Sequence, residues 1–333
     1  MDGKKILFIT YSLKTTSGVG SARSRMLLSM LKKENINVDV IADENYNISN
    51  IIKIIMQKKY EKVYFSGPPF TYYVLALLFG LLFSSAKLII DFRDAWSLNI
   101  KGGYGVNGTS YNVIKLFIVE SIEKLLYKRC AYFIVCTYGM KILYEKLFKD
   151  DRKILEIKNG HEFDIKDIKD IKDIKIICIG QFLSYGLEKG LNIINKINNN
   201  AKTFDEKISI TFIGTDKLTE TILTNNIEFS DITIEFMNRL PYNQIKMEIS
   251  HADLGLLIIR DEDIDYGTKV FDYIGLGVPI YSEFDKNKMF YKVFEKYIIE
   301  NINEKLELSP DYSMAFSRKN QLKNLVKIIE DIQ

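Results

Sequence analysis

The sequence predicts an α/β protein built as two doubly wound parallel halves, and three observations carry that expectation. Short apolar runs of strand length alternate with stretches of helical length through most of the 333 residues. Parallel neighbours need a crossover helix, so such alternation specifies a parallel sheet. The alternation stops at a charged low-complexity stretch, residues 164–175, and then restarts. The length, with 47% hydrophobic residues, suits two domains of ordinary size and excludes a disordered chain.

In the first half, residues 5–10, 37–42, 62–66, 87–91 and 132–137 are the strand-length runs. Residues 22–33, 48–57, 71–83 and 111–128 between them have helical length and mostly helical spacing. After Asn159-Gly160, residues 164–175 read Asp-Ile-Lys four times over. A period of three fits 3.6 poorly, so an extended connector is expected there rather than an amphipathic helix. Residues 174–180, 208–214, 232–237, 254–259 and 278–282 are then strands with helices between them. Residues 316–332 have helical spacing through Leu322, Leu325, Val326 and Ile329. The expected organisation is a first domain over 1–163, a linker over 164–175 and a second domain over 176–315, with the helix at about 316–333 a candidate to pack back on the first domain. Two open sheets joined by a hinge are expected to face across a cleft, their strand carboxyl ends gathered where ligands bind in this architecture.

The net charge of +3 hides an asymmetry. Residues 1–165 carry 24 Lys and Arg against 16 Asp and Glu, a net +8, and the remainder carries 22 against 27, a net −5. A basic half suits an anionic lipid or phosphate partner; the alternative is drift in composition. Three cysteines (Cys130, Cys136, Cys178) and two histidines (His161, His251) form no metal-ligand grouping. Buried free thiols in a reducing compartment are therefore expected, without structural zinc or a disulfide framework. The opening run Ile6-Leu7-Phe8-Ile9 is too short for a signal-peptide core. The strongest apolar run, 70–83, falls short of the roughly 18 residues a spanning helix needs. The expected location is cytoplasmic, with peripheral attachment to the inner face of the membrane as the further option.

Three constellations carry the chemistry. Gly18-Val19-Gly20-Ser21-Ala22 follows the first strand and opens a helix, where glycines let backbone N–H groups approach an anion. It fails as a dinucleotide fingerprint, because Tyr11–Ser17 separate it from the strand and Arg23 stands at the third glycine position. Asp91-Phe92-Arg93-Asp94-Ala95-Trp96 sets three charges and the one tryptophan at the end of the fourth strand. These residues either line a cleft or contain a buried Asp–Arg pair that merely shapes the loop. The following Lys101-Gly102-Gly103-Tyr104-Gly105 reads as a loop that orders over an acceptor. The third constellation, Gly267 to Ile280, follows the fourth strand of the second half, ending at Ile259, and a carboxylate-rich loop, 261–265. Gly267 and Thr268 start a helix and Lys269 adds a cation, which together suit a diphosphate, while Asp272 suits the vicinal hydroxyls of a ribose. A capped core helix explains Phe271 and Ile274 but not Lys269 and Asp272.

The string Ala252-Asp253-Leu254-Gly255-Leu256, followed by Thr268-Lys269-Val270-Phe271-Asp272-Tyr273 and Gly277-Val278-Pro279, resembles the donor-binding segment of GT-B glycosyltransferases, and most of all glycosyltransferase family four, the "group one" transferases. Asp91–Trp96 resembles the acceptor-side loop of that family, Asn159-Gly160 its turn at the domain boundary, and Ile179-Gly180 with Lys189-Gly190 its first loop in the second domain. Ile213-Gly214 also fits, so the resemblance covers nearly the whole chain.

The resemblance implies the GT-B architecture, two Rossmann-like domains, and transfer of a sugar from a nucleotide-diphosphate sugar to a glycan, lipid-linked or protein acceptor. It further implies retention of configuration, no metal and no cofactor beyond the donor, with a UDP-sugar favoured. By position the candidate catalytic residues are Arg93, Asp94, Lys189 and Lys269, and the acceptor side holds Asp91, Trp96 and Tyr104. Gly18, Gly20, Gln181, Gly214, Gly267, Thr268 and Asp272 fall to the donor. Four departures stand out: Asp272 is one methylene shorter than the usual Glu, Gln181 stands where an Arg often assists, Arg93 replaces a His, and the first Glu of the usual Glu-x7-Glu falls at Ile264. They motivate an alternative, a catalytically impaired subunit that assists a partner transferase. A second alternative, a nicotinamide-dependent oxidoreductase, needs an immediate glycine-rich turn that neither half supplies. Asp263-Ile264-Asp265 has the form of a metal-binding triplet and reads as incidental. No nucleic-acid partner is expected. Lys58, Lys59, Lys62, Lys87, Lys124, Lys128 and Arg129 are the basic residues of the first domain expected to favour an anionic membrane.

Overall fold

The computed structural model describes residues 5–14, 19–57, 60–67, 69–82, 86–101, 113–163, 173–203, 206–225, 229–302, 304, 306 and 308–331. The chain divides into two compact units, residues 1–158 with 322–333 and residues 159–321. Residues 159–163, assigned to the first half on sequence, pack in the second unit. The Asp-Ile-Lys repeat lies outside the described residues except for 173–175, of which Ile174 and Lys175 already belong to a strand.

The first unit is a six-stranded parallel sheet in the order β2-β1-β3-β4-β5-β6, made of β1 (Lys5–Thr10), β2 (Asn37–Ile41), β3 (Lys62–Ser66), β4 (Lys87–Phe92), β5 (Tyr132–Val135) and β6 (Ile154–Glu156). Its helices are α1 (Val19–Lys33), α2 (Ile48–Gln57), α3 (Tyr73–Leu82, after a 3-10 turn over Phe70–Tyr72), α4 (Trp96–Lys101), α5 (Val113–Arg129) and α6 (Tyr138–Phe148). The strands form because they are short apolar runs with both faces covered: β1, β3 and β4 are buried almost throughout.

On one face, α1 packs with the last helix of the chain, α13 (Arg318–Asp331). Leu322, Leu325, Val326 and Ile329 of α13 join Phe8, Leu27, Leu31 and Tyr64 in one core, each side chain worth about 1.5–3 kcal/mol of burial. Lys62 serves this packing. It is buried, and its Nζ donates to the carbonyls of Ile329 at 2.5 Å and Glu330 at 3.1 Å, satisfying the end of α13. It therefore does not belong to the membrane-facing basic set expected from sequence.

The second unit repeats the plan with a six-stranded parallel sheet, order β12-β11-β10-β7-β8-β9. Its strands are β7 (Ile174–Ile179), β8 (Ile208–Ile213), β9 (Thr233–Met237), β10 (Leu254–Leu256), β11 (Ile280–Tyr281) and β12 (Ile298–Ile299). Its helices are α7 (Leu187–Ala201), α8 (Lys217–Thr224), α9 (Tyr242–His251), α10 (Lys269–Gly275), α11 (Met289–Phe294) and α12 (Pro310–Ala315). Strand β10 is shorter than the run 254–259 suggests; Leu257, Ile258 and Ile259 stay buried but lie beyond the ladder. The Asn159-Gly160 turn brings His161 beside Ser317 as a parallel bridge. A Cβ on Gly160 would stand 2.5 Å from the Phe316 carbonyl oxygen and 2.6 Å from the Arg318 nitrogen, so only glycine allows this backbone approach. Cys130, Cys136 and Cys178 are buried free thiols, and burial pushes their pKa values up.

Candidate functional site

In the first unit the loops after β3 and β4 are tied together. The Tyr73 hydroxyl accepts from Gly67 N and donates to the Asp91 carbonyl, both at 2.9 Å, and Arg93 Nε donates to the Gly67 carbonyl at 3.1 Å. Asp94 is exposed beside Arg93. Trp96 opens α4 with its ring stacked on Phe70, centroids 5.5 Å apart. Arg93, Asp94 and Trp96 thus share the carboxyl end of β4. Tyr104 and Gly18 lie outside the described residues, and Gly20 sits in the first turn of α1.

Asp91 does not join that surface. Its side chain and that of Arg23 are each 1% exposed. Arg23 grips the carboxylate with Nε and Nη2, both at 3.2 Å, while Tyr64 and Ser66 donate to Oδ2 at 2.6 and 3.2 Å. Arg23 Nη1 also donates to the carbonyls of Ile157 and Lys158, each at 3.0 Å. Burial alone would raise the Asp91 pKa, but Arg23, Arg93 and the Tyr64 hydroxyl outweigh it and hold the acid below its usual range. The Asp–Arg pair is real, but its partner is Arg23 rather than Arg93, and it braces the loop from beneath.

A second buried acid supports α4. Glu123 Oε1 accepts from Ser97 N at 3.0 Å and from the Tyr144 hydroxyl at 2.8 Å, and Oε2 has no partner among the described residues. Burial pushes its pKa from 4.5 up to about 7, against those hydrogen bonds. The folded state therefore holds a proton that the unfolded chain releases above pH 4.5. That stabilisation is complete below pH 4.5 and fades as pH rises to about 7. Glu123→Gln should remove this dependence, leaving the variant roughly 3 kcal/mol more stable than wild type at pH 8 and close to it at pH 4.5, read by urea unfolding at the two pH values.

In the second unit, the loops that follow the strands converge in the same way. Gly180 N donates to the Ile213 carbonyl and Gly214 N to the Met237 carbonyl, both at 2.9 Å, linking the carboxyl ends of β7, β8 and β9. Gly214 has φ +60°, and a Cβ there would press on Arg239 Cα at 3.2 Å, so this turn requires glycine. Asp216 caps α8 and accepts from Phe182 N at 3.0 Å, pinning the loop in which Gln181 is exposed.

Gly267, at φ +62°, turns the chain into α10, and its N–H is taken by Asp265 Oδ1 at 2.8 Å. Thr268 precedes the helix without a side-chain cap. Lys269, the first residue of α10, lays its stem over Gly180, with Cε 3.9 Å from the position of a Cβ there. No carboxylate within 4.0 Å pairs with it among the described residues.

Two other predicted residues are already engaged. Lys189, in the first turn of α7, pairs with Glu262 and lies 4.8 Å from the Phe284 ring centroid. Asp272 is 2% exposed, beneath the helix start rather than on its surface. Its Oδ1 accepts from the Tyr242 hydroxyl at 3.0 Å, while Oδ2 has no partner among the described residues. Burial raises its pKa, opposed by Lys269, Tyr242, Arg318 and His161. The structure thus gathers Gln181, Gly214, Gly267, Thr268 and Lys269 around the strand ends of this unit. Sequence reasoning missed Tyr242, and it marked the loop 261–265 that contains Glu262 without the pairing of that residue to Lys189.

The carboxylates of the Asp263-Ile264-Asp265 triplet work separately: Lys288 donates to Asp263 at 2.6 Å, and Asp265 binds Gly267 N. Among the described residues no group of three or more His, Cys, Asp or Glu is placed to hold a metal ion.

No family model matches the chain, and no curated protein matches it in sequence. Solved structures match over almost its whole length. The Anabaena protein HepE in complex with UDP aligns with a TM-score of 0.60 at 12% identity, covering 98% of this chain and 100% of that one. Sucrose-phosphate synthase from Thermosynechococcus elongatus aligns with a TM-score of 0.60 at 11% identity, over 98% and 94%. The fold is GT-B. Each unit is Rossmann-like, a six-stranded parallel sheet between helices. The putative UDP-N-acetylglucosamine 2-epimerase from Listeria monocytogenes also aligns, with a TM-score of 0.51 at 12% identity, over 99% of this chain and 89% of that one. One architecture serves a synthase and an epimerase, so activity has to be argued from residues.

Proposed function

We propose that the chain is a glycosyltransferase that moves a sugar from a nucleotide-diphosphate sugar, a UDP-sugar in preference, to a glycan, lipid-linked or protein acceptor. The reading includes retention of configuration, no metal, and a place in bacterial-type surface polysaccharide or glycoconjugate synthesis. The observation that carries it is Lys269, an ammonium without a carboxylate partner among the described residues, held over Gly180 at the start of an uncapped helix. A cation beside free helix N–H groups suits a diphosphate. As the bond from the sugar to the diphosphate breaks, negative charge builds on the leaving group, and Lys269 stabilises it there. Lys189 adds a second cation by exchanging Glu262 for the diphosphate. The unpartnered Oδ2 of Asp272 is the acceptor for a ribose hydroxyl, which reaches it when the Tyr242 ring moves aside. In the first unit, Arg93 and Asp94 serve the reacting sugar, and Trp96 on Phe70 offers the acceptor a flat apolar platform.

A thermal-shift screen over UDP-, GDP- and CMP-sugars and NADH tests this. At one hundred times its dissociation constant a ligand adds about 2.7 kcal/mol, so a UDP-sugar should raise the melting temperature by roughly 5–10 °C. A panel without any shift, or a larger shift with NADH, contradicts the reading. The Lys189–Glu262 pair and the burial of Asp272 favour one other reading, a GT-B subunit that assists a partner transferase. It predicts a folded chain that neither transfers nor hydrolyses any donor in the panel.

A further inference from the structure

Helix α5 is apolar on both sides. Leu116, Val119, Leu126 and Tyr127 face the sheet and are buried. On the opposite side Ile114, Phe117, Ile118 and Leu125 follow the spacing of a single helical stripe and are 45–73% exposed. A helix with apolar stripes on two opposite sides belongs in a core or against lipid, and here the described residues cover only one of the two. The neighbours continue the pattern. α3, which packs against α5, contains no charged residue and exposes Val74 and Leu78. α2 exposes Ile48, Ile52 and Met56, again a single stripe.

Topology puts these stripes on one side of the sheet. After β2 each new strand is added in the same direction along the order β2-β1-β3-β4-β5-β6. Right-handed crossovers therefore place α2, α3 and α5 together, opposite α1 and α13. Among the described residues, ten of the 17 exposed large hydrophobic side chains lie on these three helices, which marks a surface rather than scattered exposure.

Charge selects the occupant. Lys53, Lys124, Lys128 and Arg129 are exposed along the same helices. Their only two acids, Glu120 and Glu123, are respectively paired with Lys101 at 2.6 Å and buried. An apolar face ringed by cations repels a second copy of itself and complements anionic lipid headgroups. Among the described residues no helix is long and apolar enough to cross a membrane, so the face rests on the bilayer. We propose that the α2–α3–α5 face of the first unit docks on an anionic bilayer, its apolar stripes entering the headgroup boundary and its lysines meeting the phosphates. The charge asymmetry of the sequence pointed to a membrane by electrostatics; the structure adds an apolar contact, so high salt should weaken the binding without abolishing it.

The test is co-sedimentation of the full chain with vesicles of mixed phosphatidylglycerol and phosphatidylethanolamine, against phosphatidylcholine alone. Wild type should bind the anionic vesicles. Phe117→Ser with Ile118→Ser should lower the binding constant at least tenfold at an unchanged melting temperature, because both side chains are exposed. Lys124→Gln and Lys128→Gln should each lower it about fivefold on anionic vesicles only. Three results would overturn the proposal: wild type staying in the supernatant, the serine variant binding as well as wild type, or a solution dimer that the serine variant dissociates. No donor is present in this assay, so its failure leaves the transferase reading standing.

Discussion

Arg23→Met should cost about 3–5 kcal/mol of stability and lower the melting temperature by roughly 10 °C, as measured by calorimetry on the full chain. The substitution fills much of the same volume but leaves the Asp91 carboxylate buried with only the Tyr64 and Ser66 hydroxyls, and it orphans the carbonyls of Ile157 and Lys158. The acid response should reverse as well. In wild type the Asp91 pKa is depressed, so its contribution is present at neutral pH and lost as pH falls below the ordinary value of 3.8. Without the guanidinium, burial raises that pKa, and the variant should gain stability as pH falls from 7 towards 4. Asp91→Leu added to Arg23→Met should recover part of the loss, because an apolar pair leaves no buried charge. A single-variant loss below about 1 kcal/mol would mean that the pair is not the brace described here.

Lys269→Ala should weaken binding of a UDP-sugar by about 10- to 100-fold while leaving the melting temperature nearly unchanged, read by titration calorimetry and a thermal melt. One charge-assisted contact to a diphosphate is worth about 1.5–3 kcal/mol, and Lys269 has no ion pair to lose among the described residues. Asp272→Ala makes a useful contrast. From sequence alone it reads as a surface contact to a ribose, whose loss would spare stability. The structure buries it against Tyr242, so the variant should lose affinity and also about 1–3 kcal/mol of stability, since the Tyr242 hydroxyl is left without its acceptor. Equal donor affinity in Lys269→Ala and wild type would remove Lys269 from the site.

The architecture was legible because both faces of a parallel strand are covered, and such strands read as unbroken apolar runs between helical stretches. Most of the elements that escaped are short. β12 has two residues and β6 three, too few for any period to show, and α4 and α6 follow strands in stretches that read as loop or were left unassigned. Long-range pairings were not legible at all. Nothing between residues 23 and 91 announces that an arginine standing where a glycine is sought holds an acid 68 positions away. Glu123 belongs to a helix whose charges suggest a wet face, yet it points inward to Ser97 and Tyr144. At the candidate site, residue types and order marked the segment 267–272, whereas burial decided what each residue does. Lys269 was left without a carboxylate partner among the described residues, Asp272 was placed under the helix, and Lys189 was given to Glu262.

The central claim is that the second unit holds a nucleotide-sugar diphosphate at the start of α10. A crystal structure of the chain with UDP-glucose tests it most directly. The account predicts the diphosphate against Lys269 and the backbone N–H groups that open α10. Ordered UDP elsewhere on the chain, with Lys269 untouched, would contradict it.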